Sequence, residues 1–421
     1  MRALAWLNKL RRDKSGNVLA ITAASMPLIV GGAAMAVDTI QLSVWKRQLQ
    51  RAADSAAIAG AYAEAQRADV GEAVHRDLDE NVFPTLSEPE VVQQGARLGF
   101  NRTVYVSLTA ERTVPFISFF TNSPNTIKAE ATAAVVDEGD FCLLSLYDGT
   151  DTGIDANGNA TVDLTCGMAT NSRSDNAVTA GGTSSIIATP ISAVGGLDGT
   201  SQNFDGANTT LRPRTAPMLD PFAGLALPTI PANCTASLSV PNNSTPVEID
   251  DDTPGQSCFT SLNIDGTLRL NPGTYYVKGG NIDLKGRIES IGTGGVTIIM
   301  TGDQTDSDGK LIVGDFIQNG GGVLDIDAAE TGPYRGIALY RDPRAALLTV
   351  NINGGAETDI RGAVYMPSTD LWLGGNASFD ATCLQVVGRI ITFRGGADID
   401  NDCDENGAAQ PLRQTVVRLV G

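Results

Sequence analysis

The chain has 421 residues, room for two or three domains, and a formal net charge of −18. Hydrophobic residues make up 42% and aromatics 5%, with 46 glycines; this is enough apolar content for a core, and glycine at this frequency without a G-X-Y period points to turn-rich β structure rather than collagen. The acidic balance argues against nucleic acid as a partner and against adsorption to anionic lipid.

Residues 1–16 form a basic arm in which Arg2, Lys9, Arg11, Arg12 and Lys14 stand against Asp13. Val18 to Val37 follow without a charge, long enough to cross a bilayer as a helix, so a transmembrane helix is predicted over 17–38. The basic excess predicts an N-terminus in the cytoplasm and the bulk of the chain, after Val37, delivered outside. A cleaved signal peptide, with A-M-A at Ala34–Ala36 as cleavage site, is the rival. It fits less well, because the apolar run exceeds an h-region and the helical pattern continues past it. Pro27 predicts a bend. Gly31, Gly32, Ala33 and Ala34 make a small-residue face that suits helix contact, or small residues with no partner.

Residues 39–81 read as a helical stalk. A helix from Val18 to Ala65 would be roughly 70 Å long, less than half of it in lipid. A second helix is predicted from Arg67 to Asn81, with Val70, Val74 and Leu78 at four-residue spacing. The lone His75 lies on its polar side and reads as a solvated surface group; with one histidine, a Ser-His-Asp or Cys-His catalyst has a single candidate.

This N-terminal segment resembles that of the TadE/TadG-like proteins of the Tad (Flp) pilus system. The residues that carry the resemblance are Gly16, the apolar helix ending at Asp38, and the polar block with Leu49, Gln50 and Ala52 to Ala59, including Asp54. Pilin-like members are cut after the Gly and carry Glu at the fifth mature position. Ile21 stands there in this chain, which favours the uncleaved, TadG-like kind.

Residues 82–137 change to a period of two. Val104, Val106 and Leu108 alternate, VPFISFF follows, and an N-S-P-N turn leads into ATAAVV. With the helices before them, these strands predict a small pilin-like α+β domain, and the resemblance extends to about Val136. Residues 138–202 carry short alternating runs between Gly, Asn and Asp. Residues 203–260 read as a Pro-rich surface linker, with the acidic Glu248 to Asp252 as a solvated loop. From 261 to 421 the strand pattern repeats: Gly266 and Gly286 are twenty apart, and Gly-Gly motifs recur near Gly354, Gly374 and Gly395. The fold class expected is α+β with a large all-β part: the 138–202 and 261–421 stretches predict a parallel β-helix, with a β-sandwich as the alternative. FCLLSLYDGTD onward, LDPFAGLALPTIP and LNPGTYYVKGGNIDLKG resemble, in the same order, the long C-terminal region of TadG-like proteins.

The six cysteines of an exported chain predict disulfides. Cys383 and Cys403 each lie six residues after an alanine, Ala377 and Ala397, that follows the same Gly-rich corner, and Cys166 lies six after Ala160. On adjacent rungs, about 4.8 Å apart, such sites suit a disulfide. The pairs expected are Cys142–Cys166, Cys383–Cys403 and Cys234–Cys258.

No P-loop, G-x-S-x-G, H-E-x-x-H, C-x-x-C or dinucleotide fingerprint is present, and neither catalysis nor a cofactor is expected. The densest carboxylates are Asp398, Asp400, Asp402 and Asp404, which strand alternation would place on one side. They are weighed as a Ca²⁺ site against a solvated acidic corner, and the corner is preferred; Asp151, Asp155 and Asn157 are a weaker version. The resemblance implies a membrane-anchored structural or assembly component of a Tad-type pilus in a bacterial inner membrane, with the bulk of the chain in the periplasm or at the surface; its partners would be the membrane and other pilus proteins, and it would carry a disulfide-braced acidic surface for adhesion or contact. The alternative is an anchored carbohydrate-binding or carbohydrate-active protein with a surface glycan as ligand.

Overall fold

The computed structural model describes residues 16–65, 68–80, 86–87, 90–121, 123–204, 209–243, 245–353, 355–381, 383–401 and 412–421. The basic arm at 1–15, Asp402, Cys403 and Asp404 lie outside them. The chain divides into two compact units, residues 1–136 with 417–421, and residues 137–416.

The first unit begins with one long helix, α1 (Gly16–Ala65), which contains Pro27. Its two halves differ in what they cover. In the first, Leu28, Ile29 and Val30 are exposed, and the helix is long and apolar enough to cross a membrane. In the second, Leu49, Ala52, Ala53, Ala56, Ala57 and Ala61 are buried. The stretch 39–81, expected as a projecting stalk, is therefore packed for much of its length. Alanine explains this: it keeps a helix at no side-chain entropy cost and lets a second element come close. Gly60 takes this furthest, since a Cβ there would lie 2.8 Å from Val104 and 2.9 Å from Val74.

The elements packed on it are helix α2 (Val70–Glu80) and an antiparallel sheet of β1 (Val91–Arg97), β2 (Phe100–Arg112) and the first part of β3 (Asn125–Ser145). Asp69 caps α2 by accepting the N–H of Glu72 at 2.8 Å, and the helix buries Val70, Ala73 and Val74. The hairpin between β1 and β2 turns at Leu98 and Gly99, both left-handed. Val104, Val106 and Leu108, alternate residues of β2, share one core with the alanines of α1. The C-terminal residues Val420 and Gly421 hydrogen-bond to Thr132 of β3, so the tail belongs to this unit and not to the 261–421 stretch assigned from the sequence.

The second unit is a large array of short parallel strands. The strands Leu238–Val240, Val247–Ile249 and Cys258–Phe259 pair with Leu262–Ile264, Thr267–Leu270 and Gly273–Lys278. These pair in turn with Ile282–Leu284, Arg287–Ser290 and Val296–Thr301. The same three-strand step repeats through Phe316–Arg341, through Leu348–Leu373, and on to Asp398–Asn401. Within each strand alternate residues point into a common core, as the period of two predicts. One interior column reads Val240, Ile264, Leu284, Gln318, Ile352, Leu373, Phe393, Ala156 and Ala180 in register. Gln318 is its one polar member, satisfied by the carbonyls of Gly322 and Glu357 and by Thr358.

That column exposes the order of stacking. Phe393 is followed in space by Ala156, some 240 residues earlier in the chain. Ile391–Gly395 pair with Ile154–Gly158, Asp398–Asn401 with Thr161–Leu164, and Val386–Gly388 with Leu143–Ser145. The strands up to Leu211–Pro213 then stack outward from this seam. The chain thus enters the array in the middle, builds to one end, returns to the other end, and winds back to the seam. The Pro-rich region accomplishes the return. Of the stretch 203–260, expected as linker, Leu211–Pro213, Leu238–Val240, Val247–Ile249 and Cys258–Phe259 are paired strands; residues 214–233, between the first two, form a strap outside the strands.

This strap covers the outer side of the third strand of each step. The register there brings Tyr276, Ile299, Tyr340, Tyr365, Val387 and Leu144 into one column. Met218, Phe222 and Leu225 of the strap lie on it. Asn171 exchanges two hydrogen bonds with the Met218 backbone, Tyr365 donates to Asp220 at 2.8 Å, and Tyr334 donates to the Ala226 carbonyl at 2.9 Å.

Candidate functional site

Of the residues singled out in the N-terminal segment, Asp38 and Leu49 are buried on one face of α1. Asp38 is 2% exposed. Its Oδ2 accepts the main-chain N–H groups of Phe116 at 2.9 Å and Ile117 at 2.6 Å, the first residues of a short helix, α3 (Pro115–Thr121). About three helical turns separate it from the Leu49 block. Leu49 enters the unit's core, and Gln50 donates both to Asp54 at 2.8 Å and to the Glu130 carbonyl of β3 at 2.7 Å. These polar residues hold the helix to the sheet, and the alanines between them set the distance. Gly31 faces α3, whose Phe116 ring tip stands 3.7 Å from the position of a Cβ, whereas Gly32 faces nothing within 4 Å. Val37 is exposed, and the side chain of Val18 is not among those described.

The carboxylate candidates belong to the second unit. Asp398 and Asp400 are exposed on one side of their strand while Ile399 and Asn401 are buried, as alternation requires. Asp400 stands in register with Asp163. Asp402 and Asp404 lie outside the described residues. Asp151 accepts the Tyr147 hydroxyl at 2.7 Å, which raises the tyrosine's pKa, and Asp155 is held by Arg394, Thr179 and Asn157. These two are committed to the protein. Asp250, Asp251 and Asp252 present oxygens within 4.8 Å of one another on a turn. There Asp251 accepts the Thr274 N–H and Asp250 that of Asp252, a turn-stabilising use of the side chains. His75 sits 2.7 Å from Glu90 and its side chain is 66% exposed.

Two of the cysteine pairs are bonded, Cys142 to Cys166 and Cys234 to Cys258, with Cα separations of 5.8 and 4.6 Å. Each links a strand or turn to the neighbouring step of the array. Cys383 is disulfide-bonded, and Cys403 lies outside the described residues. Ala160, Ala377 and Ala397 occupy equivalent buried places, since Thr161, Ser378 and Asp398 are in register.

Sequence reasoning missed two features of the second unit. The first is the strap with its buried Asp220, whose pKa burial raises and which also accepts the Phe222 N–H. The alternation of apolar residues with proline in DPFAGLALPTIP was the available signal. The second is Arg341, 1% exposed, whose guanidinium donates to Ser368, Thr369 and the carbonyls of Val313 and Ala346. Burial pushes its pKa down to about 10, so it stays charged at neutral pH.

No curated protein and no solved structure matches the chain. A family model does match, and it covers the helix whose contacts are described above. Residues 16–65 fit the family described as "Putative Flp pilus-assembly TadE/G-like", so this N-terminal segment is a TadE/G-like Flp pilus-assembly domain.

Proposed function

We propose that the protein is a membrane-anchored structural component of a Tad-type (Flp) pilus. The observation that carries the reading is the coincidence of the TadE/G-like match at 16–65 with a helix whose first half presents apolar side chains outward. Such a surface is stable in lipid and costly in water, by about 25 cal/mol for each Å² exposed. The basic arm holds the N-terminus in the cytoplasm, and the rest of the chain stands in the periplasm or at the cell surface. The small unit built on the second half of α1 is a pilin-like module that joins the anchor to the assembly machinery or the pilus. The large unit is a parallel β-helix; the support is the parallel pairing of every strand triplet with the next around one interior column. It serves as a contact or adhesion surface and not as an enzyme, since its candidate carboxylates are exposed or committed to structural bonds.

The test is fractionation of cells carrying an epitope in the exposed turn at Asp308–Gly309. Recovery with inner membranes or sheared pili, and digestion of the epitope by protease added to spheroplasts, are expected. Recovery with the cytosol, or a deletion strain with normal pili and attachment, would overturn the reading. Binding of the purified protein to polysaccharide, lost when Asp398 and Asp400 are replaced, would favour the glycan alternative.

A further inference from the structure

The helix α3 is an unusual element to find beside a membrane anchor. Its sequence, PFISFFT, has no charge, and none occurs from Thr113 to Ile127. Phe120 is 67% exposed, its ring edge-on to that of Phe116 with centroids 5.1 Å apart. The position of α3 along α1 accounts for this exposure. Asp38 holds the start of α3, and the Phe116 ring reaches Gly31, seven residues earlier, or about 10 Å along the axis. Gly31 belongs to the uncharged run from Val18 to Val37, and its neighbours Leu28, Ile29 and Val30 are 78%, 67% and 60% exposed.

We propose that α3 is a second membrane contact: it lies in the non-cytoplasmic boundary of the bilayer, with Phe116 and Phe120 among the acyl chains and Asp38 as the clip that holds it against the anchor. The inference rests on the membrane-anchor reading of α1. The occupant is lipid because the aromatic surface is continuous with the apolar run of α1. The carboxylate at this boundary fits the same account. An ionised side chain at membrane depth is costly unless donors surround it, and Asp38 is buried against two main-chain N–H groups whose own helix end would otherwise be unsatisfied. The contact fixes the depth and rotation of α1, which a single apolar helix leaves free to slide and tilt.

The experiment uses the full chain in phosphatidylcholine–phosphatidylglycerol vesicles, in a background where Trp6, Trp45 and Trp372 are replaced by Phe. One reporter is Phe120→Trp, and a control reporter is Leu28→Trp. Vesicles made with lipids brominated on their acyl chains should remove about half or more of the emission of both reporters, while acrylamide in the water phase has little effect. Adding Asp38→Ala to the Phe120→Trp chain should shift its quenching from brominated lipid to acrylamide and leave the Leu28→Trp control unchanged. The proposal is overturned if Phe120→Trp is quenched by acrylamide and not by brominated lipid. It is equally overturned if neither quenches it, the result expected were a second copy or another protein seated there. If Leu28→Trp also escapes the brominated lipid, the anchor reading itself fails, and the two failures are thereby told apart.

Discussion

Replacing Gly182 by Ala tests whether the early strands stack on one another as tightly as the register implies. Gly182 turns the chain between Val178–Ala180 and Ser185–Ile187 with φ at +69°. A Cβ there would lie 2.7 Å from the carbonyl oxygen of Gly158, its neighbour one step along the array. That oxygen also accepts the N–H of Thr183 at 2.8 Å and cannot swing away freely. Two costs follow. The left-handed backbone costs an L-residue about 1–2 kcal/mol. Displacing the neighbouring backbone costs about 1–3 kcal/mol more, as overpacking elsewhere does. Gly309 separates the two, since its φ is +74° and nothing stands within 4 Å of its Cβ position. Gly309→Ala should therefore show the backbone cost alone. Both variants lose the same unfolded-state entropy, which cancels in the comparison. The detergent-solubilised full chain can be melted by near-ultraviolet circular dichroism, where buried Tyr340 and Tyr365 report on the array. At about 2–4 °C for each kcal/mol in a unit of this size, Gly182→Ala should melt several degrees below Gly309→Ala. Equal melting temperatures would refute the tight stacking of the turn at Gly182 on Gly158.

Opening the Cys142–Cys166 bridge by Cys142→Ser with Cys166→Ser frees a loop of 24 residues and should cost about 3.5 kcal/mol on the chain-entropy model, read as a lower urea midpoint. Non-reduced peptide mapping should return Cys142 with Cys166 and Cys234 with Cys258, and crossed pairs would contradict the register. Burial holds the Asp220 carboxyl above its unfolded value, so the folded chain keeps a proton that the unfolded chain gives up. Stability from this group is accordingly full below about pH 4 and is lost as pH rises through the folded value. Asp220→Asn, which keeps an acceptor for the Phe222 N–H, should gain on the parent chain between pH 4 and pH 7 in melting experiments. Arg341→Met strips donors from two hydroxyls and two carbonyls and should cost about 2–4 kcal/mol in denaturant titrations.

Composition and pattern determine much of this protein without reference to its tertiary structure. An uncharged run from Val18 to Val37 can only be a helix if it is to satisfy its backbone in lipid, and the Ala-rich block after it continues the same helix. Alternation in LNIDGTLRL and its repeats decides which side chains face inward, because successive Cβ atoms of a strand point to opposite faces. The spacing of Gly-rich corners and cysteines carries the step length. What alternation cannot carry is which strand lies next to which. Apolar strands of equal period are interchangeable partners in a parallel ladder, and closing a long loop costs little more than closing a short one. Only the tertiary structure decides that Phe393 stacks on Ala156. The same holds for Asp38. Its place at the end of the apolar run is plain in the sequence, but its partners are main-chain N–H groups 78 and 79 residues away, and main-chain groups are the same in every residue.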